Sequence, residues 1–172
     1  MIKRQGFTLI EILIVVAIIA ILASVVLIGL GPTQQSGRDA RRLSDLHEVQ
    51  NGLELFFNKC GYYPGTAAGG ACAAGGATAG YAEMSGALTG AGLGINSVPS
   101  DPLNNATYKY YYKTNGADAN SYLLAATLEN KSNSVFAGYN PPGGTYGSGD
   151  TLPGACATTG DANGTGLYCL TL

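Results

Sequence analysis

The chain has 172 residues, about one domain's worth. Only 12% of them are charged, 26 are glycine and none is tryptophan, whereas an ordinary soluble domain carries charge on roughly a quarter of its residues. Nine basic residues against eleven acidic ones give a net charge of −2, which argues against a bulk electrostatic grip on nucleic acid.

Lys3 and Arg4 precede a nearly continuous apolar run from Phe7 to Leu30, in which Thr8 and Ser24 are small exceptions and Glu11 is the only charge. As a helix the run spans roughly 36 Å, enough to cross a hydrocarbon core of about 30 Å. Its Ile, Val and Leu would favour a strand in water. A lone segment in a bilayer must satisfy its own backbone, and that selects helix. Lys3 and Arg4 are expected to hold the N-terminus on the cytoplasmic side and send the rest outward. The run is too long for an ordinary secretory signal, whose apolar core is roughly 7–15 residues. A carboxylate inside such a helix costs roughly 2.5–3.5 kcal/mol on insertion scales. Glu11 therefore either snorkels to the nearby interface or meets a cation from another chain.

Gly29, Gly31 and Pro32 follow. Proline removes a backbone donor and clashes with the preceding turn, so a kink or a locally melted stretch is expected here. From Arg38 to Lys59 the spacing of Leu43, Leu46, Val49, Leu53 and Phe56 predicts a second helical stretch with one buried stripe, widened by Phe57. Arg38, Asp39, Arg42, Asp45 and Glu48 are assigned to its other faces. Arg38, Arg41 and Arg42 form a local basic patch; a solvated helix face is the plainer reading and DNA binding a minor one. His47 reads as a helix-surface histidine.

Gly61-Tyr62-Tyr63-Pro64 ends the helix with turn chemistry. Thr66 to Gly80 is rich in Ala and Gly and reads as irregular. Tyr81 to Leu88 predicts a short helix with Met84 and Leu88 on one face, and Pro99-Ser100-Asp101-Pro102 predicts a turn. Tyr108–Lys113 reads as a strand with Tyr108, Tyr110 and Tyr112 on one face. Ser121–Leu128 is the clearest strand, turning Tyr122, Leu124, Ala126 and Leu128 inward. Ser134–Tyr139 is expected to be a third strand and Leu167–Leu172 a last one. Pro141 to Gly166 reads as loop. Within it Asp161-Ala162-Asn163-Gly164-Thr165 is a weak match to a calcium loop or a glycan acceptor, lacking the further acidic ligands that calcium needs.

The four cysteines, Cys60, Cys72, Cys156 and Cys169, include no C-x-x-C pair, so a zinc site is not expected. An even number of widely spaced cysteines beyond a membrane segment predicts disulfides in an oxidising compartment. Of three possible pairings, the local one, Cys60–Cys72 with Cys156–Cys169, staples two loops that lack large apolar residues. The rival crosses them and ties the C-terminal strand to the helix end.

The segment Lys3-Arg4-Gln5-Gly6-Phe7-Thr8-Leu9-Ile10-Glu11 resembles the processing site of bacterial type IV prepilins and type II secretion pseudopilins. Arg41-Arg42-Leu43-Ser44-Asp45-Leu46, Leu53-Glu54-Leu55-Phe56-Phe57 and the Pro-x-Asp-Pro turn resemble the same group. The resemblance implies an α+β pilin-like fold, with a long N-terminal helix packed on a small antiparallel sheet with Gly-rich loops. It implies a leader at 1–6, a membrane and filament-core helix at 7–30, an amphipathic half-helix at 31–59 and a globular head at 60–172. A membrane prepilin peptidase would cut between Gly6 and Phe7 and methylate the new amine of Phe7. Glu11 would then face that ammonium on a neighbouring subunit, an attraction on the order of 4 kcal/mol at about 4 Å and an effective dielectric of 20.

The implied partners are further copies in a helical homopolymer, other pilins, the peptidase, an inner-membrane assembly platform and, before assembly, membrane lipid. The implied location is a single-pass inner membrane, then a filament outside the cell. The long Gly-rich C-terminal region favours a displayed pilus subunit over the alternative, a type II secretion pseudopilin. A monomeric anchored adhesin comes third, because it leaves Glu11 unexplained. No enzyme chemistry is expected: there is one histidine, no phosphate loop and no nucleophile elbow. No cofactor and no metal are expected either.

Overall fold

A computed structural model describes residues 6–65, 72, 80–114, 119–137, 139, 148–154, 156 and 166–171. Lys3 and Arg4, most of the Ala/Gly-rich stretch before residue 80 and the Asp161–Thr165 segment lie outside the described residues. The chain divides into two compact units, Met1–Gly37 and Arg38–Leu172. Helix α1, Leu9–Cys60, contributes to both.

In the first unit every large apolar side chain from Phe7 to Val26 is at least half exposed. Leu9–Val26 is long and apolar enough to cross a membrane. The backbone is helical through Gly29, Gly31 and Pro32, so the stretch is not melted as one reading of the sequence expected. A proline removes a single N–H, and the rest of the hydrogen-bond ladder carries the helix past it.

In the second unit α1 buries Leu46, Val49, Leu53 and Phe56. The helix stops at Gly61, whose φ of +79° suits a residue without a side chain and whose N–H donates to Phe57 O at 2.7 Å. Helix α2, Tyr81–Gly90, buries Met84, Ala87 and Leu88. Its first residue is preceded by Gly80, which has no side chain to cap it. The cap comes from elsewhere: Asp150 accepts the Tyr81 amide at 2.8 Å. A Cβ on residue 80 would lie 2.7 Å from that carboxylate, so glycine makes room for the cap.

The sheet has four antiparallel strands, β1 Tyr110–Thr114, β2 Tyr122–Thr127, β3 Ser148–Gly149 and β4 Leu167–Thr171, in the order β3-β1-β2-β4. Tyr110, Tyr112, Tyr122, Leu124, Ala126 and Tyr168 face the main core with the α1 stripe and α2. Tyr111, Leu123, Ala125, Leu167 and Cys169 form a second cluster. Both faces of β2 are therefore buried.

Three sequence expectations are corrected. Ser134–Tyr139 is not a strand; Ser134–Phe136 is a 3-10 turn, capped by Asn133, whose side chain accepts the Val135 amide. The buried ring of Phe136 and that of Tyr139 pack edge to face at a spacing of three, which a strand would separate. Tyr108 does not share the strand face with Tyr110 and Tyr112; it precedes β1 and lies half-buried. β3 occurs inside the stretch expected to be loop, because two residues are too few to show a period.

Candidate functional site

Phe7 lies outside α1 and is 86% exposed. Gly6 is likewise exposed and outside the helix. Thr8 stands immediately before the first helical residue. Its hydroxyl oxygen accepts the Glu11 amide at 3.3 Å. In return Oε2 of Glu11 accepts the Thr8 amide at 2.7 Å and the Thr8 hydroxyl at 2.6 Å. This reciprocal pair is a capping box: it satisfies first-turn amides that have no partner within the helix. The sequence carries its signal, Thr-x-x-Glu ahead of an apolar run, and the reading of Glu11 as an isolated charge missed it. Ser24, the other polar residue of the run, donates to Ile21 O at 2.7 Å. The polar side chains Thr8, Glu11 and Ser24 thus bond within the segment, while its large apolar side chains from Phe7 to Val26 are at least half exposed.

The second unit holds a charge cluster of the opposite kind. Arg42 is 0% exposed. Its Nε and Nη2 donate to the two oxygens of Asp101 at 2.7 and 3.1 Å, and its Nη1 donates to Asp39 at 2.8 Å and to Glu129 at 2.7 Å. Arg38 adds a second fork on Glu129, at 2.7 and 2.6 Å. Asp39 also accepts the amides of Glu129 and Asn130, both at 2.9 Å. The Tyr108 ring lies 4.9 Å from the Arg42 guanidinium. Burial alone would lower the Arg42 pKa, but the bonds it donates to Asp101, Glu129 and Asp39 outweigh that and raise it. The Arg38 bonds, assisted by Arg42 and opposed by burial, pull Glu129 down to about 2.

The cluster corrects the placing of Asp39 and Arg42 on faces other than the buried one. They continue the Leu46-Val49-Leu53-Phe56 stripe upstream at spacings of three and four, and that regularity was the available signal. It also removes the basic patch. Arg42 is buried, Arg38 is bound to Glu129, and exposed Arg41 lies 3.7 Å from Asp45. His47 is exposed, with Nδ1 3.4 Å from Gln50 Oε1.

Disulfides join Cys60 to Cys72 and Cys156 to Cys169. The first ties the end of α1 to the following loop, and the second ties β4 to the segment before it.

Residues 1–27 match the prokaryotic N-terminal methylation motif. Over 64 residues the chain is 34% identical to the type II secretion system core protein G of Escherichia coli (strain K12), a stretch covering 37% of this chain and 44% of that protein. The match therefore spans less than half the length of that relative. No solved structure matches. The methylation motif falls on the segment whose apolar side chains stand uncovered, and together with the partial likeness to a secretion core protein it supports a kinship with type IV pilins and pseudopilins.

Proposed function

We propose that the chain is a structural subunit of a type IV pilus-like filament outside the cell, assembled through its N-terminal helix after a leader of residues 1–6 is removed. One observation carries this reading: Leu9–Val26 is uncovered, apolar and long enough to span a bilayer, and its single carboxylate lies in the first turn beside Phe7. Before assembly lipid covers that surface; in the filament other copies do. Lys3 and Arg4 set the topology, with the head on the far side of the inner membrane. A prepilin peptidase cuts between Gly6 and Phe7, an assembly platform receives the mature chain, and Glu11 pairs with the Phe7 ammonium of a neighbour. The segment 7–30 serves as membrane anchor and filament core, 31–59 as the half-helix that docks the head, and 60–172 as the displayed head.

The second reading, a pseudopilin of a type II protein secretion system, is favoured by the likeness to a secretion core protein. Mass spectrometry of sheared surface material tests the shared part. N-methyl-phenylalanine at position 7 is expected, and an intact Met1 in exposed material would sink it. Electron microscopy of the same filaments, with peptide identification of the main subunit, separates the two systems. A surface fibre built mainly of this chain supports the pilus.

A further inference from the structure

Among the described residues of the second unit, two large apolar side chains are left exposed, Leu55 at 51% and Leu103 at 40%. They stand in different settings. Leu55 borders a groove of about 220 Å³ between α1 and the chain after α2, walled by Leu88, Ile95, Val98 and Pro99. Among the described residues Glu48 is the one charged side chain along this groove, and it makes no ion pair. Leu103 does not line the groove; it follows the Pro-x-Asp-Pro turn. That turn is held firmly. Asp101 accepts Arg42 with both oxygens, and its Oδ1 also accepts the amides of Leu103 at 2.8 Å and Asn104 at 3.3 Å. Asn104 sits at a φ of +41°, in the left-handed region that residues with side chains enter only where their surroundings hold them. Lys109 is exposed and shares a polar hollow with Asn104, so a cation stands beside the leucine's turn. Among the described residues it too makes no ion pair.

We infer that the groove is a contact between copies of this chain: Leu103 of a second copy seats in it, and Lys109 of that copy pairs with Glu48. The inference rests on the reading of the chain as a filament subunit and names a contact between heads. An uncovered apolar groove and an exposed leucine both gain by leaving water. Opposite unpaired charges, one beside each, set the register and disfavour other apolar partners. The turn is already ordered, so docking Leu103 costs little further freedom. Because knob and groove are different surfaces, each copy can give one and receive one, the head-to-tail arrangement that builds rings or filaments.

The test uses the full-length chain in cells with its own assembly machinery. The photo-crosslinker p-benzoylphenylalanine replaces Leu103, and crosslinked dimers from sheared filaments are mapped by mass spectrometry. The crosslinks should fall on residues 48–55 or 95–99. E48K and K109E should each cut filaments per mature subunit several-fold, and the double variant E48K/K109E should restore them. L103S should also assemble several-fold less, with the thermal melting of the head unchanged. Crosslinks confined to other surfaces, or a double variant no better than the single ones, would overturn the contact and leave the filament reading standing. Absence of filaments from the wild type itself would overturn both together.

Discussion

The two units of the chain place their charges and their hydrocarbon in opposite ways. In the first unit, Met1–Gly37, the large apolar side chains from Phe7 to Val26 are exposed, and Glu11 is held by its own first turn. In Arg38–Leu172 tyrosines, leucines and Phe56 fill the interior, and Arg42, Asp39 and Asp101 are buried with them. Water is a poor solvent for the first surface, so something outside the chain must cover it. The buried charges of the second unit are answered by each other. The first unit is therefore built for its surroundings and the interior of the second for itself. Substitutions in the first should alter assembly and leave the head's stability alone; substitutions in the interior of the second should do the reverse.

The sharpest separation is Glu11→Ala. On the proposed reading, removing the carboxylate should ease membrane insertion, leave the proposed cleavage after Gly6 intact and take away the proposed partner of the neighbour's amine. Filaments should be lost, while the head's thermal melting in detergent, followed by near-ultraviolet circular dichroism, stays unchanged. Normal filament numbers and lengths would contradict the pairing.

Arg42→Met is the mirror experiment. It takes the shared buried guanidinium from Asp39, Asp101 and Glu129, leaving Glu129 with Arg38, and Asp39 and Asp101 with backbone amides alone. Breaking a buried ion pair by removing one member typically costs 3–5 kcal/mol. Denaturant unfolding of the full chain in micelles should show a loss of that order, with membrane insertion unaffected. A loss under about 1 kcal/mol would mean that the cluster is not what holds α1 to the turn at Asp101 and the loop at Glu129.

These two sites differ in how far the sequence disclosed them. The first unit was readable because a bilayer leaves a lone segment no backbone option except helix, and because a carboxylate in such a run stands out. The α1 stripe, β1, β2 and β4 were readable from periods of three to four and of two. Arg42 was assigned to the wrong face because side-chain type was weighed above position in the stripe. Asp101 and Glu129 could not be paired with it, since they come from turns 59 and 87 residues away and no local pattern joins them. Asp150, which caps α2 and also accepts the Tyr112 amide, was hidden for the same reason. The Ser134–Phe136 turn was mistaken for a strand because its apolar residues were counted without regard to the Asn133 cap.

A smaller effect is expected from Cys156→Ser, which opens the link between β4 and the preceding loop. The cysteines are 13 residues apart, and closing a ring of this size stabilises by roughly 3 kcal/mol on the loop-entropy account. Cys169 is buried in the smaller cluster with Tyr111, Leu123 and Leu167, so the strand keeps its packing when the link is gone. The loss should accordingly come out at or below that figure by denaturant unfolding, with filament assembly reduced only as far as the head is unfolded. Free thiols at all four cysteines in surface material would contradict the oxidised compartment.

The smallest effect has a pH signature. Glu129 is held at about 2, below its ordinary 4.5, chiefly by the Arg38 bonds and further by Arg42, against an opposing contribution from burial. A carboxyl whose pKa is lower in the folded state stabilises the fold when it is ionised in both states. That contribution is complete above the unfolded value of 4.5 and is lost as the pH falls from there through about 2. Glu129→Gln removes the titration but keeps the shape and a neutral acceptor for Arg38 and Arg42. Hydrogen bonds to charged groups are worth about 1.5–3 kcal/mol, so the wild type should exceed the variant by about 2 kcal/mol at neutral pH. The gap should be constant above pH 5 and close progressively towards pH 2. Unfolding curves for the two proteins in micelles at a series of pH values measure it directly. A gap that does not narrow on acidification would mean that Glu129 contributes by shape and not by charge. Filament assembly at neutral pH should be unaffected by the substitution while the head stays folded, since Glu129 belongs to the cluster whose charges are answered from within.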